Sequence, residues 1–489
     1  MIGNSSNAIA DDVLNIAFPT KQIQLDPQKM EDMYSMTVVN QLYAKLFKYT
    51  PDGQIRTDLI ERWEVSKDKK TYIFTLKKAT FSDGTPITAE HVANSIKRVF
   101  VLKSSLSSDL SIIEGASKFL KTNNVDDLMV ISENKNTLKI ETMKPTSLLV
   151  YLLAVPDIGV LKLNKVDSEL TFDEKMAFSG PYKIKSISKG VIKLLKWRAS
   201  DLDSSNPANT VNFNLFKKVD TKQVASGKIT DTSNFMTMDE KDSPLANNPN
   251  WKAVASEAAN ERFIIINPKM IPLELRKWML SRINVDDFVS RLNDKSIVPA
   301  YGFIPNCLPG HLKGRQHTNV KRPDITKRLS IKITYGENLP YPEVFKSYLI
   351  QVWSHPKLKI EFEELPVSKY LEKMFNKKEQ VVIGARGIDY PEGYSVVTYF
   401  RSDVESNYFF INSKKIDELI DSSGQELNNE KRYAIYEEIQ KNVLKEATVI
   451  PIAFGSWKKY YWSNRVKKVP PHPIGIHFMP LEMLVMAGK

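Results

Sequence analysis

Cysteine is almost missing from this chain. Cys307 is the only one in 489 residues, so no disulfide can close within the chain and no cysteine-rich metal site can be assembled. That scarcity leaves the compartment open, because disulfide-free chains work in a periplasm and in cytosol alike. Histidine is nearly as sparse. His91, His311, His317, His355, His472 and His477 never recur at i, i+4 with an acid between them, which argues against a histidine-based zinc site. Long apolar runs are lacking too. The longest, Leu148 to Val155, has eight residues, against the about 20 that a membrane-spanning helix needs. The opening "MIGNSSNAIADDV" has neither the basic start nor the apolar middle of a signal peptide, so the chain reads as cytosolic or as a mature or trimmed form. No lipobox cysteine is present either.

The common signatures of chemistry are absent as well. Gly227-Lys228 lacks the upstream loop and the following hydroxyl of a phosphate-binding loop. There is no G-x-G-x-x-G, G-x-S-x-G or H-E-x-x-H. Glu363 and Glu364 are adjacent on a strand and so point to opposite faces, which prevents a catalytic dyad. These absences weigh against an enzyme, although carboxylates from distant segments can still meet in a fold. No metal and no cofactor is expected.

What is present is the composition of a folded protein: 42% apolar and 26% charged residues. A chain of 489 residues exceeds one compact core, so two or three domains are expected. The formal charge of +12 suggests an acidic partner, yet the 57 acidic residues are interleaved with the 69 basic ones. No run of basic residues and no basic helix flanked by aromatics stands out, which favours a solvated lysine-rich surface over nucleic-acid binding.

"DVLNIAF", residues 12 to 18, reads as a first strand, and Val38, Leu42 and Leu46 recur every four residues as a helix. In "TYIFTLKKATFSDGTPITAEHVANSIKRVF", Tyr72, Phe74 and Leu76 alternate as a half-buried strand, and Asp83-Gly84 with Pro86 marks a turn. Thr88 then caps a helix with Val92, Ile96 and Phe100 as its buried stripe. From 328 onward strands and helices alternate. "RLSIKITYG" places Leu329, Ile331, Ile333 and Tyr335 on one face, and a helix through Val344, Tyr348 and Val352 follows. "LKIEFEEL", the helix "VSKYLEKMF" and the strand "QVVIGA" complete a β-α-β-α-β order, which implies a parallel α/β unit with its last strand central.

Several of these stretches, in order, resemble the bacterial extracellular solute-binding proteins of family 5, the oligopeptide-, dipeptide- and nickel-binding group. "LDP" at 25 to 27, "ERWEVSKDKKTYIFTLKKATFSDGTPITAEHV", "SGPYKIK", "PAYGFIP" and "IPIAFGSW" carry the likeness. "LRKWMLSRINVDDFV" resembles a family helix, with Arg282-Ile283-Asn284-Val285 replacing the usual core. The resemblance implies a two-lobed α/β protein of the periplasmic-binding-protein type II (cluster C) fold, with an extra domain and a hinged cleft. Residues 1–46, 175–262 and 465–489 would form a discontinuous lobe I, 47–174 its extra domain, and 263–464 the α/β lobe II. "RFIIIN" and "KKYYWS" would be the crossovers between lobes. The function implied is an extracytoplasmic component of an ABC importer that closes on short peptides and hands them to the membrane permease. It would be a monomer, periplasmic or a cell-surface lipoprotein. The alternative is the same fold with a metal chelate, a modified peptide or an oligosaccharide as cargo; a hydrolase is a third reading. His91 stands where the family usually has the acid that completes a reciprocal capping box, so a loss of local stability is expected there.

The stretch "VVIGARGIDYPEG" concentrates the functional question. Ligands of open α/β sheets bind beyond the carboxyl ends of the strands, and Asp389 lies just past one. By resemblance Asp389, set among Ile388, Tyr390 and Glu392, pairs with a peptide's α-ammonium. Family peptide binders commonly have tryptophan where this chain has Arg386. Arg386 is expected either to pair with Asp389 or to bind a carboxylate at the ligand's other end. Met33 and Tyr34, in "EDMYSM" after the LDP turn, are further candidate contacts by resemblance, or else packing residues.

Overall fold

The computed structural model describes residues 12–50, 54–166, 170–217, 224, 231–237, 245, 248–255, 259–315, 320–388, 390–403, 407–455, 459–470 and 479–487. The chain divides into two compact units, Met1–Ser256 with Lys458–Lys489, and Glu257–Trp457.

The first unit is built on a seven-stranded sheet whose middle strand is Val13–Phe18. It runs parallel to both neighbours, Thr210–Leu215 and Thr232–Thr237. A strand flanked on both sides and covered on both faces has no solvent side, and Leu14, Ile16, Ala17 and Phe18 are all buried. Lys459–Ser463 lies between Thr232–Thr237 and Trp251–Ala255, antiparallel to each. Within the "KKYYWS" segment, expected as a crossover, Lys459–Ser463 is thus a strand of this sheet paired on both edges, directly after the division between the units at Trp457 and Lys458. Glu261–Ile266, from "RFIIIN", is paired on both edges inside the sheet of the second unit. The tail returns to the first unit because Met479, Leu481 and Leu484 bury themselves against Leu14, Val38 and Leu42.

The helix foreseen from Val38 and Leu42 spans Met33–Leu42. Asp32 caps it by accepting the N–H groups of Tyr34 and Ser35, each at 2.9 Å. Leu46, the third residue of the pattern, is buried but lies past the helix end. The cause is Gly180 of "SGPY", whose N–H donates to Leu42 O at 2.8 Å. A Cβ there would stand 2.5 Å from Gln41 O, so only glycine lets the two backbones meet. The LDP turn is held by Asp26, whose two buried carboxylate oxygens accept Nη1 and Nη2 of Arg98 at 2.8 and 2.7 Å.

Arg98 belongs to the Ala89–Val101 helix, which packs on a separate four-stranded sheet of Ile60–Val65, Thr71–Leu76, Thr137–Glu141 and Val130–Asn134. Val92, Ile96 and Phe100 are its buried stripe. The expected loss of the capping box does not occur. Thr88 Oγ1 accepts the His91 N–H, and His91 Nδ1 accepts the Thr88 N–H at 3.1 Å, so a neutral imidazole does the work of the acid. Burial favours that neutral form and pulls the His91 pKa below its usual 6.5.

The second unit holds a six-stranded sheet in the order Ile297–Pro299, Val449–Gly455, Glu261–Ile266, Val381–Arg386, Leu329–Gly336, Leu358–Leu365. The last three form the parallel α/β part, and Val381–Arg386 is internal to the sheet as its apolar run implies. Leu358–Leu365 is an edge strand, and none of its residues is fully buried. Two expectations are corrected. The Pro342–Val352 helix buries Phe345, Tyr348 and Leu349, a stripe rotated from the one through Val344 and Val352. "LRKWMLSRINVDDFV" forms two helices, Leu273–Arg282 and Val285–Leu292. Asn284 breaks them apart by capping the second through Asp286 N and Asp287 N. Among the described residues no helix is long and apolar enough to cross a membrane.

His91→Ala removes one half of the capping box and is expected to lower stability by roughly 1 kcal/mol, while His91→Glu retains most of it. Because the folded-state pKa is depressed, the wild-type contribution is fully present above about pH 6.5 and fades as pH falls below it. Urea unfolding of the three proteins at pH 7.5 and 5 checks this, and a wild-type-to-alanine gap that does not shrink at pH 5 contradicts it.

Candidate functional site

The Val381–Arg386 strand carries the candidate loop at its carboxyl end. It pairs antiparallel with Glu261–Ile266, which sets Arg386 directly opposite Glu261 and Gly384 opposite Phe263. Gly384 is required here: a Cβ would come within 2.2 Å of the Phe263 ring. With no side chain in the way, that ring rises toward Arg386.

The structure gives Arg386 a partner that neither sequence alternative named. Its Nε donates to Glu261 Oε2 at 2.8 Å, and both side chains are buried. The guanidinium also lies 5.0 Å from the Tyr399 ring, 5.2 Å from Phe409, 5.3 Å from Phe400 and 6.0 Å from Phe263. Arg386 Nη1 and Nη2 and Glu261 Oε1 have no hydrogen-bond partner among the described residues. Burial pushes the Glu261 carboxyl up to about 7, an effect the adjacent guanidinium only partly offsets. Asp389 lies outside the described residues. Its neighbours Ile388 and Tyr390 are both buried, at 8% and 5% exposure.

Glu392, which the sequence placed in register with Asp389, is a buried acceptor. It takes Arg432 Nε at 3.1 Å, Tyr436 Oη at 2.8 Å and the Tyr394 N–H. Ser395 Oγ donates to Tyr390 O and Glu392 O at 3.0 and 2.8 Å, and Glu392 N–H closes a tight turn onto Tyr390 O. Gly393 follows because a Cβ would sit 2.7 Å from the Tyr436 ring.

Arg386, Ile388 and Tyr390 therefore share one loop and its strand in the second unit. Met33 and Tyr34 share the first turn of a helix in the first unit, where both are half-buried. The Tyr34 ring packs 5.1 Å from Phe18, and burial raises its pKa. Sequence reasoning missed Glu261, Arg432, Tyr436 and the aromatic rings around Arg386. A signal existed for two of them: Arg432 and Tyr436 lie on the buried stripe of the Asn429–Glu446 helix with Ile439 and Val443, and an arginine on an apolar face needs a buried acid. Among the described residues no cluster of acids, histidines or cysteine has the arrangement of a metal site.

The profile of bacterial extracellular solute-binding proteins, family 5 Middle, matches residues 54–408. The chain belongs to this solute-binding family. It is 25% identical over 483 residues to the probable D,D-dipeptide-binding periplasmic protein DdpA of Escherichia coli, covering 91% of this chain and 88% of that one. It is 22% identical to the dipeptide-binding protein DppE of Bacillus subtilis, over 95% of this chain and 90% of the relative. Among solved structures, the unliganded open form of the periplasmic murein tripeptide-binding protein MppA matches with a TM-score of 0.81 at 17% identity, over 98% of both chains. The DppA protein of Helicobacter pylori in complex with the peptide STSA matches with a TM-score of 0.70 at 16% identity, over 97% of this chain and 98% of that one. Likeness at these identities shows the fold, a two-lobed periplasmic-binding-protein architecture of mixed helices and sheets.

For this solute-binding protein, Glu261→Ala strands a buried guanidinium and is expected to cost roughly 3–5 kcal/mol of unfolding free energy. The double variant Glu261→Met/Arg386→Met should cost less than the single one, because no charge is left uncompensated. The raised Glu261 pKa means its contribution is fully present below pH 4.5 and lost as pH rises through about 7. Glu261→Gln should therefore flatten the wild-type fall in stability between about pH 4.5 and 7, read by urea unfolding.

Proposed function

We propose that the chain is the substrate-binding component of an ABC importer, that its cargo is short peptides, and that it performs no chemistry on them. The observation that carries this reading is the family match over residues 54–408. Relatives named as D,D-dipeptide-binding and dipeptide-binding, each matching along most of the chain, support it. Its membrane partner is then the importer's permease, and the protein works outside the cytoplasm as a monomer, in the periplasm or lipid-anchored at the cell surface. The division of the first unit into a discontinuous domain and an extra domain over 47–174 belongs to the same proposal, and the separate four-stranded sheet supports it.

Within this reading Asp389 holds the ligand's α-ammonium. Two observations support that role. Asp389 follows the carboxyl end of a parallel strand, the edge at which open α/β sheets take their ligands. Arg386, the nearby cation that would compete for it, is engaged by Glu261. A charge-assisted contact of this kind is worth roughly 1.5–3 kcal/mol.

Asp389→Asn is expected to weaken a free-amine tripeptide by roughly 10- to 150-fold in calorimetric titration, and to leave its N-acetylated form nearly unchanged. Equal losses for the two peptides would remove the ammonium assignment. Native mass spectrometry of the purified protein tests the wider reading. Co-purified peptides support it, whereas a single non-peptide compound or turnover of an added peptide overturns it.

A further inference from the structure

We propose that Lys45 reacts reversibly with carbon dioxide, its side-chain amine being held as a carbamate in a small pocket of the first unit. This site is separate from the loop around Arg386 and does not depend on the peptide reading.

The backbone fixes where this lysine lies. Just past the Met33–Leu42 helix, the Ala44 N–H donates to Ser179 Oγ at 3.0 Å and the Lys45 N–H to Asp58 Oδ2 at 3.0 Å. Lys45 O accepts the Leu59 N–H at 3.1 Å, and the residue is 6% exposed. It lines a pocket, partly open to solvent, together with Lys48, Asp58 and Glu482. A buried ammonium ordinarily faces a carboxylate. Here Asp58 is taken by Lys48, whose Nζ lies 3.0 Å from Oδ1. Lys45 Nζ donates instead to a neutral amide, Asn40 Oδ1 at 2.6 Å, and among the described residues no carboxylate is paired with it. Glu482 shows the opposite shortage. Its Oε1 accepts Ser200 Oγ at 3.0 Å, whereas its buried Oε2 has no donor among the described residues. The pocket's two phenols are already used, Tyr43 Oη on Leu25 O and Tyr49 Oη on Tyr151 O.

An amine so placed is a nucleophile. Burial and the Lys48 cation favour its uncharged form, which Asp58 and Glu482 oppose only in part, and its pKa falls from 10.5 to about 8. The free space, about 20 Å³, exceeds what one water needs and admits a molecule of a few atoms rather than a peptide. In the reaction the nitrogen lone pair forms the N–C bond and one C=O π pair moves onto oxygen. The nitrogen then loses a proton, for which Glu482 Oε2 is the open acceptor on the way to solvent. The product adds a negative charge to a pocket whose Lys48 ammonium has further N–H groups to give.

The probe is carbon-13 bicarbonate at one fixed concentration, equilibrated with the full chain between pH 6.5 and 9.5. Carbamates are trapped by alkylation with a trialkyloxonium salt and located by peptide mass spectrometry. At fixed bicarbonate the carbamate fraction follows the uncharged amine. At Lys45 it should rise about tenfold per pH unit up to about pH 8 and level off above it. An ordinary lysine titrates near about 10.4 and keeps rising across this range. Lys45→Met replaces a buried cation with an apolar chain of similar length, and should lose the carbamate NMR signal that saturates near pH 8. No adduct on wild-type Lys45, or one that keeps rising as an ordinary lysine does, overturns the proposal. So does a saturating signal that survives in Lys45→Met. The adduct map and pH course of the wild type stand as the test if that variant does not fold.

Discussion

The pairing of Glu261–Ile266 with Val381–Arg386 is the contact on which the candidate site depends. Six residues of each strand are in register, and at Gly384 the pairing tolerates no side chain because the Phe263 ring occupies that space. That packing sets which residues face each other at the strand ends. Glu261 meets Arg386, and the loop beyond departs from a fixed point. A one-residue slip would move every side chain to the other face and leave both charges buried without partners.

From that point the site is a matter of charge kept out of water. Two arginines and two glutamates are each less than a tenth exposed. Desolvation opposes such groups, and it raises the pKa of Glu261 and of Glu392 despite their cationic partners. A lobe assembled only for stability would fill these positions with apolar residues of similar volume. Removing one partner of either pair would leave a buried charge uncompensated, which ties Glu261 to Arg386 and Arg432 to Glu392.

The first unit solves comparable problems by other means. Asp26 and Arg98 tie the early turn to a helix with two parallel hydrogen bonds. His91 completes a capping box from its neutral form, so a residue that looks like a defect in the family's pattern keeps both hydrogen bonds of the cap. The chemistry the cap needs is an acceptor at the third helical position, and a carboxylate is only one way to provide it.

Much of the fold was legible from local pattern. Val13–Phe18, Thr71–Leu76, the Thr88-capped helix and the alternating elements after 328 follow from apolar periodicity and turn residues, because those signals lie within a few positions of each other. The ordered family motifs extended that reading to the whole chain. The partners of the charged residues were not legible. Glu261 is 125 residues from Arg386 and Arg432 is 40 from Glu392, and no local spacing reports a contact made by strand register or helix packing. The residue types of the loop around Asp389 were therefore determined by the sequence alone. Which of its charges are spent on the protein's own interior was decided only by the tertiary structure, since burial and pairing are properties of the packed sheet and helix.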